Sequence, residues 1–141
     1  MPRCLPALAV LLLSACSSAR QDGIDPKGQA FDAVAPDETV TLTGTEPFWA
    51  VTVAGERARY SNPDHPEGFD FTVSRFAGNN GLGFSGTLFE EPFTATLTPG
   101  DCSDGMSDRN YPFVATIALG GETLQGCGYT DRQPYTGAPA P

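Results

Sequence analysis

Apolar side chains recur at every second position over most of the chain between residues 39 and 129. In one stretch Phe93, Ala95 and Leu97 alternate with threonines, and the same period returns around Val40–Leu42, Trp49–Val53, Phe69–Val73 and Phe113–Leu119. Successive side chains of a strand point to opposite faces, so this period predicts strands with one buried face. No window has the period of an amphipathic helix, and threonine and aromatic residues suit a half-buried pleated surface.

Short turn-forming groups separate these stretches. Glycine and asparagine tolerate the positive φ of tight hairpin turns, and they occur at Ala54-Gly55, at 78–81 and at Gly120-Gly121, while Glu90-Glu91 joins two further runs. The spacing corresponds to about eight short strands. We therefore predict an all-β fold, a single small antiparallel barrel or sandwich of about eight strands.

The first fifteen residues have the features of an export signal rather than of a folded element. Arg3 supplies a positive charge, residues 5–13 are almost wholly apolar, and the run is too short to span a bilayer as a helix. It ends in Leu-Ser-Ala-Cys, which resembles the bacterial lipobox, in which the cysteine is acylated and becomes the first residue of the mature chain. We predict a lipoprotein signal peptide over residues 1–15 and lipidation of Cys16. The alternative is an ordinary signal peptide followed by a chance cysteine.

A lipid on Cys16 would anchor the protein to a membrane of the cell envelope. Ser17 follows, and in the enteric sorting pattern an aspartate there retains a lipoprotein in the inner membrane, so the resemblance implies the outer membrane, facing the periplasm. Residues 16–38 are rich in Ser, Asp, Gly, Pro and Ala, which predicts a flexible tether. The β domain is predicted over 39–129, and the proline-containing stretch 130–141 is predicted to be a disordered tail in which Tyr135 could pack locally.

The chain is strongly acidic. It carries 17 Asp and Glu against 8 Lys and Arg, a formal net charge of −9 at pH 7. Nucleic acid and anionic lipid repel such a surface, so we predict no nucleic-acid partner. The charge permits a basic protein as partner, but an acidic surface also serves solubility alone.

Two cysteines, Cys102 and Cys127, remain once the two in the N-terminal region are assigned to the signal peptide and to the lipid. In an oxidising compartment this pair is predicted to form one disulfide. If Leu124 faces the core, strict alternation puts Cys127 on the opposite face. We expect a bulge near one of the glycines that flank Cys127 to reconcile the two.

The first segment that could carry chemistry is Gly-Thr-Glu-Pro-Phe-Trp at 44–49, which holds the only tryptophan. One interpretation is a turn that delivers Trp49 to the core. The other is the rim of a binding site, in which Glu46 lies beside an exposed Trp49. The sequence leaves both interpretations open.

The second segment, 101–112, is dense in turn-forming and hydrogen-bonding side chains. Asp and Ser cap their own backbone in such loops, and Arg109 could bridge Asp104 or Asp108 and stabilise the shape. A loop pinned to a rigid sheet is also a typical ligand loop, so these three residues join the two candidates of the first segment as possible ligand- or partner-binding residues. The acidic spacing does not match a calcium-binding loop, and we predict no metal site and no cofactor.

The two segments also carry a family resemblance. The runs GTEPFW and TLTPGDCSDGMSDRNYPF and the ending GGETLQGC are together similar to a family of uncharacterised bacterial envelope lipoproteins, over most of residues 43–127. Relatives occur beside domains of the membrane-bound C-type lysozyme inhibitor kind, which are small β-barrels. The resemblance implies an envelope location and a β-barrel but no activity, because this chain lacks the Ser-Gly-rich inhibitory loop of those inhibitors.

The function predicted from the sequence is a non-catalytic binding or accessory domain. Its partner would be a basic protein, for which lysozyme is one candidate, or a small ligand. The sequence contains no G-x-S-x-G nucleophile motif, no phosphate-binding glycine loop and no H-E-x-x-H metal motif. The alternatives are a structural protein of the envelope and a small hydrolase in which carboxylates of 101–112 meet His65, the only histidine.

Overall fold

The computed structural model describes residues 29–138, which form a closed antiparallel β-barrel. Its strands follow one another in chain order around the barrel, and the last strand pairs with the first. They are β1 (Val40–Thr45), β2 (Phe48–Ala54), β3 (Arg57–Asn62), β4 (His65–Ala77), β5 (Leu82–Leu88), β6 (Glu91–Ser103), β7 (Asn110–Leu119) and β8 (Glu122–Thr130). The predicted all-β fold is confirmed, as a barrel rather than a sandwich.

Alternation places the apolar side of each strand inside the barrel. In β1, Val40 and Leu42 are buried, while Thr41, Thr43 and Thr45 lie on the outer wall. The interior is filled by apolar side chains, which include Leu42, Val51, Phe84, Phe93, Leu97, Phe113 and Ile117. Because this interior is a packed core, the outer wall and the two ends are the surfaces left for binding.

The two ends of the barrel differ, because each strand runs antiparallel to its neighbours. One end carries the turns β1–β2, β3–β4, β5–β6 and β7–β8, at residues 46–47, 63–64, 89–90 and 120–121. We call this end the turn face. The opposite end carries the other connections and both ends of the described chain.

Two turns of the turn face use positive φ in different ways. Gly120 and Gly121 have φ of 58° and 82°, which glycine adopts without steric cost. The β5–β6 turn lies at Phe89 and Glu90, one residue before the Glu90-Glu91 expected from the sequence, with φ of 55° and 62°. This conformation costs an ordinary residue about 1–2 kcal/mol. The Phe89 ring packs edge-on against Phe69 at a centroid distance of 4.8 Å, and this contact helps to hold the turn.

The segment 31–38 packs across the end of the barrel opposite the turn face. Val34 is 1% exposed and belongs to the core, its carbonyl accepts a hydrogen bond from Arg75 Nη2 at 2.7 Å, and Phe31 N donates to Gly78 O at 2.7 Å. The sequence predicts a flexible tether here, because the segment has no hydrophobic period. The structure moves the start of the packed domain to Phe31, because Val34 is buried in the core and Phe31 packs against it.

The C-terminal boundary also differs from its prediction. β8 runs to Thr130, whose hydroxyl donates to the buried Glu38 carboxylate at 2.5 Å, and Gln133 Nε2 donates to the backbone of the N-terminal segment at 2.7 Å. Burial acts to raise the pKa of Glu38, but hydrogen bonds from Thr130 and from the Ala35 N–H hold it below its ordinary value. Residues 130–136 are ordered rather than a disordered tail, because polar contacts that alternation cannot reveal tie them to the barrel.

The predicted signal peptide, Cys16 and the first part of the predicted tether lie outside the described residues, as do residues 139–141. Within residues 29–138, no helix has the length and apolarity required to cross a bilayer.

Candidate functional site

The two cysteines of the barrel form the predicted disulfide, with 5.6 Å between their Cα atoms. Cys127 is directly opposite Thr43 of β1 and Val114 of β7, which lie on the outer wall, and directly opposed residues share a face of the sheet. Cys127 therefore faces outwards without the bulge that we expected in β8. The register shifts instead in β6, between Pro99 and Cys102, and this irregularity lets Cys102 meet Cys127 on the wall.

The β6–β7 loop is organised by the Asp104 carboxylate. Its Oδ1 accepts from the backbone N–H groups of Met106 and Ser107 at 3.0 and 2.8 Å, and its Oδ2 accepts from the hydroxyls of Ser107 at 2.7 Å and Tyr111 at 3.2 Å. These hydrogen bonds, first among them that of the Ser107 hydroxyl, lower the pKa of Asp104 from its ordinary 3.8 to about 2. The carboxylate thus stabilises its own loop, as the structural interpretation of this segment expected.

We expect Asp104→Ala to lower the free energy of unfolding by about 2 kcal/mol at pH 7, because it removes the acceptor of two backbone N–H groups and two hydroxyls. The pKa of Asp104 is lower in the folded state than in the unfolded state. Its stabilising contribution is therefore full above the ordinary value of 3.8 and is lost as the pH falls towards 2. Urea unfolding at pH 7 and at about pH 2.5 measures both effects.

The control for this prediction is Asp108→Ala, which removes an exposed carboxylate of the same loop. We expect it to change stability by less than about 0.5 kcal/mol. An equal loss for the two variants, or a loss in Asp104→Ala that persists unchanged at low pH, would contradict the role of Asp104.

Arg109 makes a different contact from the ion pair considered from the sequence. Its guanidinium carbon lies 4.3 Å from the centroid of the Tyr135 ring, which packs in turn against Tyr111 and Tyr129 at 5.3 and 5.1 Å. Among the residues described, Arg109 forms no salt bridge, so the expected bridge to an aspartate of its loop is wrong. The cause is the C-terminal segment, which forms a β-bridge with the start of β7 and carries Tyr135 to the arginine.

Trp49 belongs to the core, where it is 3% exposed. Its indole occupies the space over two glycines, because a Cβ at Gly44 would lie 2.1 Å from Trp49 Nε1 and a Cβ at Gly126 would lie 2.9 Å from Cζ2. Its Nε1 has no hydrogen-bond partner in the described part of the chain. The interpretation of Trp49 as an exposed rim residue is therefore wrong, whereas Glu46 is exposed at the turn before it.

The two candidate segments meet on the outer wall. Thr45 Oγ1 donates to the Asp104 carbonyl at 3.1 Å across 59 positions of sequence, which joins the end of β1 to the β6–β7 loop. Beside this contact lies a groove of about 240 Å³, which we call the wall groove. Its lining combines outward positions of β1, β7 and β8 with the disulfide and the loop, and comprises Thr43, Gly44, Thr45, Cys102, Ser103, Asp104, Val114, Gln125, Gly126 and Cys127.

Only part of this lining is predicted from the sequence. Among the predicted binding residues Asp104 lines the wall groove, Glu46 follows a lining residue, and Asp108 and Arg109 lie farther along the loop. Val114 and Gln125 are not among the predicted binding residues. Their one sequence signal is that they stand at outward positions of their strands. That signal becomes informative only when the register shows which outward positions are neighbours of the disulfide.

His65 lies at the turn face and has its own set of partners. Its Nδ1 is 3.6 Å from Glu67 Oε1, and its ring packs against Phe69 at 4.8 Å. The Asp104 carboxylate accepts from Ser107 and other groups of its loop instead. The pairing that the hydrolase alternative requires is therefore not among the contacts of the described residues. Nor do three His, Cys, Asp or Glu side chains of residues 29–138 converge as metal ligands.

The wall groove offers hydroxyl and amide groups beside a small apolar surface, a composition suited to holding a small polar ligand. Comparisons of the chain with protein-family models, with curated protein sequences and with solved structures find no match in any of the three. The binding function is therefore proposed from the geometry of the groove and of the barrel ends.

Proposed function

We propose that the chain is a lipid-anchored lipoprotein of the bacterial outer membrane, facing the periplasm, whose barrel is a non-catalytic binding domain for a small ligand in the wall groove. One observation supports the binding role above the others. The groove is preformed between two distant segments and is held by the disulfide, by the Thr45 hydrogen bond and by the Asp104 network.

The rigidity of the groove favours binding, because a preformed site loses little conformational entropy when a ligand enters. Ser103, Thr43 and Gln125 present polar side chains, while Val114, at 40% exposure, supplies an apolar contact. A small polar molecule with an apolar edge is the chemistry that fits this lining.

The lipid anchor is supported by the sequence and agrees with the disulfide. An apolar segment that ends in Leu-Ser-Ala-Cys carries the proposal, together with the resemblance to envelope lipoproteins. A disulfide between Cys102 and Cys127 persists in an oxidising compartment, of which the periplasm is one.

We expect Cys16→Ser to abolish lipidation. Cells that produce the wild-type chain in the presence of labelled palmitate should yield a labelled protein, because the acyl groups are attached at Cys16. Cys4→Ser is the matched control and should remain labelled, since Cys4 lies within the segment that is removed. Label on the Cys16→Ser chain, or an unlabelled wild type, would contradict the lipoprotein assignment.

We expect Val114→Glu to abolish ligand binding in the wall groove. The variant replaces an apolar contact surface with a carboxylate, and covering that charge with a small ligand is costly in free energy. Immobilised full-length protein is incubated with envelope extract, and the retained small molecules are identified by mass spectrometry. The control is Thr94→Glu, which adds the same charge at an exposed wall position of β6 outside the groove. A molecule retained by the wild type and by Thr94→Glu but lost from Val114→Glu supports the site. Equal retention by all three chains would contradict it.

A further inference from the structure

We propose that the turn face is a docking surface for a basic protein segment, whose Lys and Arg side chains pack on Phe48 and pair with the carboxylates around it. This surface lies at the end of the barrel and adjoins the wall groove, since Thr43 and Gly44 line both the wall groove and a groove beside Phe48. The inference uses the lipid anchor of the proposed function only to orient the face in the envelope, and its binding test is independent of that anchor.

The turn face is acidic and has almost no counter-charges of its own. Six exposed carboxylates lie in or beside its turns: Glu46, Asp64, Glu67, Glu90, Glu91 and Glu122. Within residues 29–138 only one of these six forms an ion pair, the 3.6 Å contact of Glu67 with His65. The arginines of the same range lie on the wall or towards the opposite end, at Arg57, Arg59, Arg75, Arg109 and Arg132.

The turns that carry these carboxylates form one connected surface. A Cβ at Gly120 of the β7–β8 turn would lie 3.8 Å from Glu91 Cγ, so this turn adjoins the β5–β6 turn. The β5–β6 turn contacts the start of β4 through Phe89 and Phe69, and Phe69 contacts His65, with 4.8 Å between ring centroids at each step. A partner could therefore touch several turns at once.

Two phenylalanines interrupt the acidic surface, and Phe48 is the one that borders a groove. Phe48 and Phe89 are each 51% exposed, but the Phe89 ring also packs on Phe69. Phe48 instead borders a groove of about 310 Å³, whose lining includes Trp49, Pro63 of the β3–β4 turn and Pro66 at the start of β4. This groove lies beside the β1–β2 and β3–β4 turns, which carry Glu46 and Asp64.

An exposed aromatic ring together with exposed carboxylates favours a partner that carries both hydrocarbon stems and positive charges. The hydrocarbon stem of Lys or Arg packs on an aromatic ring, and its cation is attracted by the face of the ring and by the carboxylates. A purely apolar partner would bury these carboxylates without counter-charges, which is costly. Nucleic acid and anionic lipid would be repelled. A basic protein segment is the occupant that satisfies both features.

The turn face lies at the end of the barrel opposite the one where the N-terminal segment meets the barrel. The N-terminal segment packs at the opposite end of the barrel, where Phe31 N bonds to Gly78 O, and the C-terminal segment pairs there with the start of β7. A chain anchored through Cys16 enters the barrel at that end. The turn face would then point into the aqueous compartment, where a soluble basic protein can reach it.

The test measures binding of a dye-labelled oligoarginine peptide to the full chain, purified in neutral detergent, by fluorescence anisotropy at low salt. The double variant Glu46→Lys and Glu122→Lys should weaken binding about tenfold or more, because it reverses two charges of the turn face. The matched double variant Asp32→Lys and Glu56→Lys makes the same change in net charge at the opposite end and should weaken binding less than about threefold.

A second pair of variants tests the aromatic anchor without changing charge. Phe48→Ser should weaken binding about threefold, whereas Phe76→Ser, which removes a phenylalanine that is 70% exposed at the far end of β4, should leave it unchanged. Circular dichroism spectra that match the wild type verify that each variant is folded.

Absence of oligoarginine binding, or equal weakening by the two charge-reversal variants, would overturn the proposal. So would self-association that is lost in Phe48→Ser, because a second copy would then occupy the face. The palmitate-labelling result for Cys16 does not affect this measurement, so failure of the anchor and failure of the docking surface are distinguishable.

Discussion

Replacing both Cys102 and Cys127 with alanine should lower the free energy of unfolding by about 3–4 kcal/mol. The bridge spans a sequence separation of 25, and a cross-link of that length removes a corresponding amount of chain entropy from the unfolded state. This loss is a large fraction of the roughly 5–15 kcal/mol that stabilises a typical domain. Urea unfolding of the variant against the oxidised wild type measures it.

The disulfide also has a local effect that the same variant reveals. It holds the end of β6 against β8 and forms one side of the wall groove. We expect amide hydrogen exchange to accelerate around Ser103–Asp104 in the variant and to change little in β3 and β4, on the other side of the barrel. The wild type treated with a reductant is the control and should behave like the variant. Unchanged stability after either treatment would contradict the assigned role of the bridge.

Gly44→Ala should lower the free energy of unfolding by about 1–3 kcal/mol, a cost typical of an overfilled core. The new Cβ would lie 2.1 Å from Trp49 Nε1 and 2.5 Å from Cε2, and the indole has little room to move because it also lies against Gly126. Urea unfolding monitored by circular dichroism measures the loss. Gly100→Ala is the matched control, since its Cβ would meet only Val114 Cγ2, at an ordinary 3.5 Å.

A double-mutant cycle identifies the indole as the cause of the clash. The three heavy atoms nearest to the new Cβ at Gly44 all belong to the Trp49 side chain, and phenylalanine lacks the pyrrole edge of the indole. Gly44→Ala should therefore cost less in a Trp49→Phe background than in the wild type. By contrast, a Cβ at Gly126 would lie 2.0 Å from the Thr43 carbonyl oxygen, so Gly126→Ala should stay costly in both backgrounds. If the changes in the free energy of unfolding caused by Gly44→Ala and Trp49→Phe are strictly additive, the indole is not the cause of the clash.

Two sets of carboxylates in this protein have different roles. Asp104 accepts hydrogen bonds that organise the β6–β7 loop, and Glu38 accepts one that joins the segment before β1 to the end of β8. The carboxylates of the turn face remain exposed in solvent. The carboxylates of the turn face are accompanied by the exposed rings of Phe48 and Phe89, which is why we propose docking there and not at the acidic β6–β7 loop.

The sequence alone determined the strands and their buried faces. The alternation of Phe93, Ala95 and Leu97 with threonines is a local property, because the side-chain period of a strand needs no knowledge of its neighbours. The glycine pair at 120–121 likewise predicts its own turn, since positive φ at successive residues is a local requirement. The pairing of Cys102 with Cys127 followed because two cysteines offer a single bridge.

Only the tertiary structure decided how distant segments meet. The register brings Val114 and Gln125 beside the disulfide, a pairing that depends on which outward positions become neighbours when β8 pairs with β1. Tyr135 reaches Arg109 because the chain returns across the start of β7, and Val34 fills the barrel end although its own segment has no period. Such contacts are set by the closure of the barrel. A pattern of neighbouring residues encodes which face of a strand is buried, but not what the rest of the chain places against it.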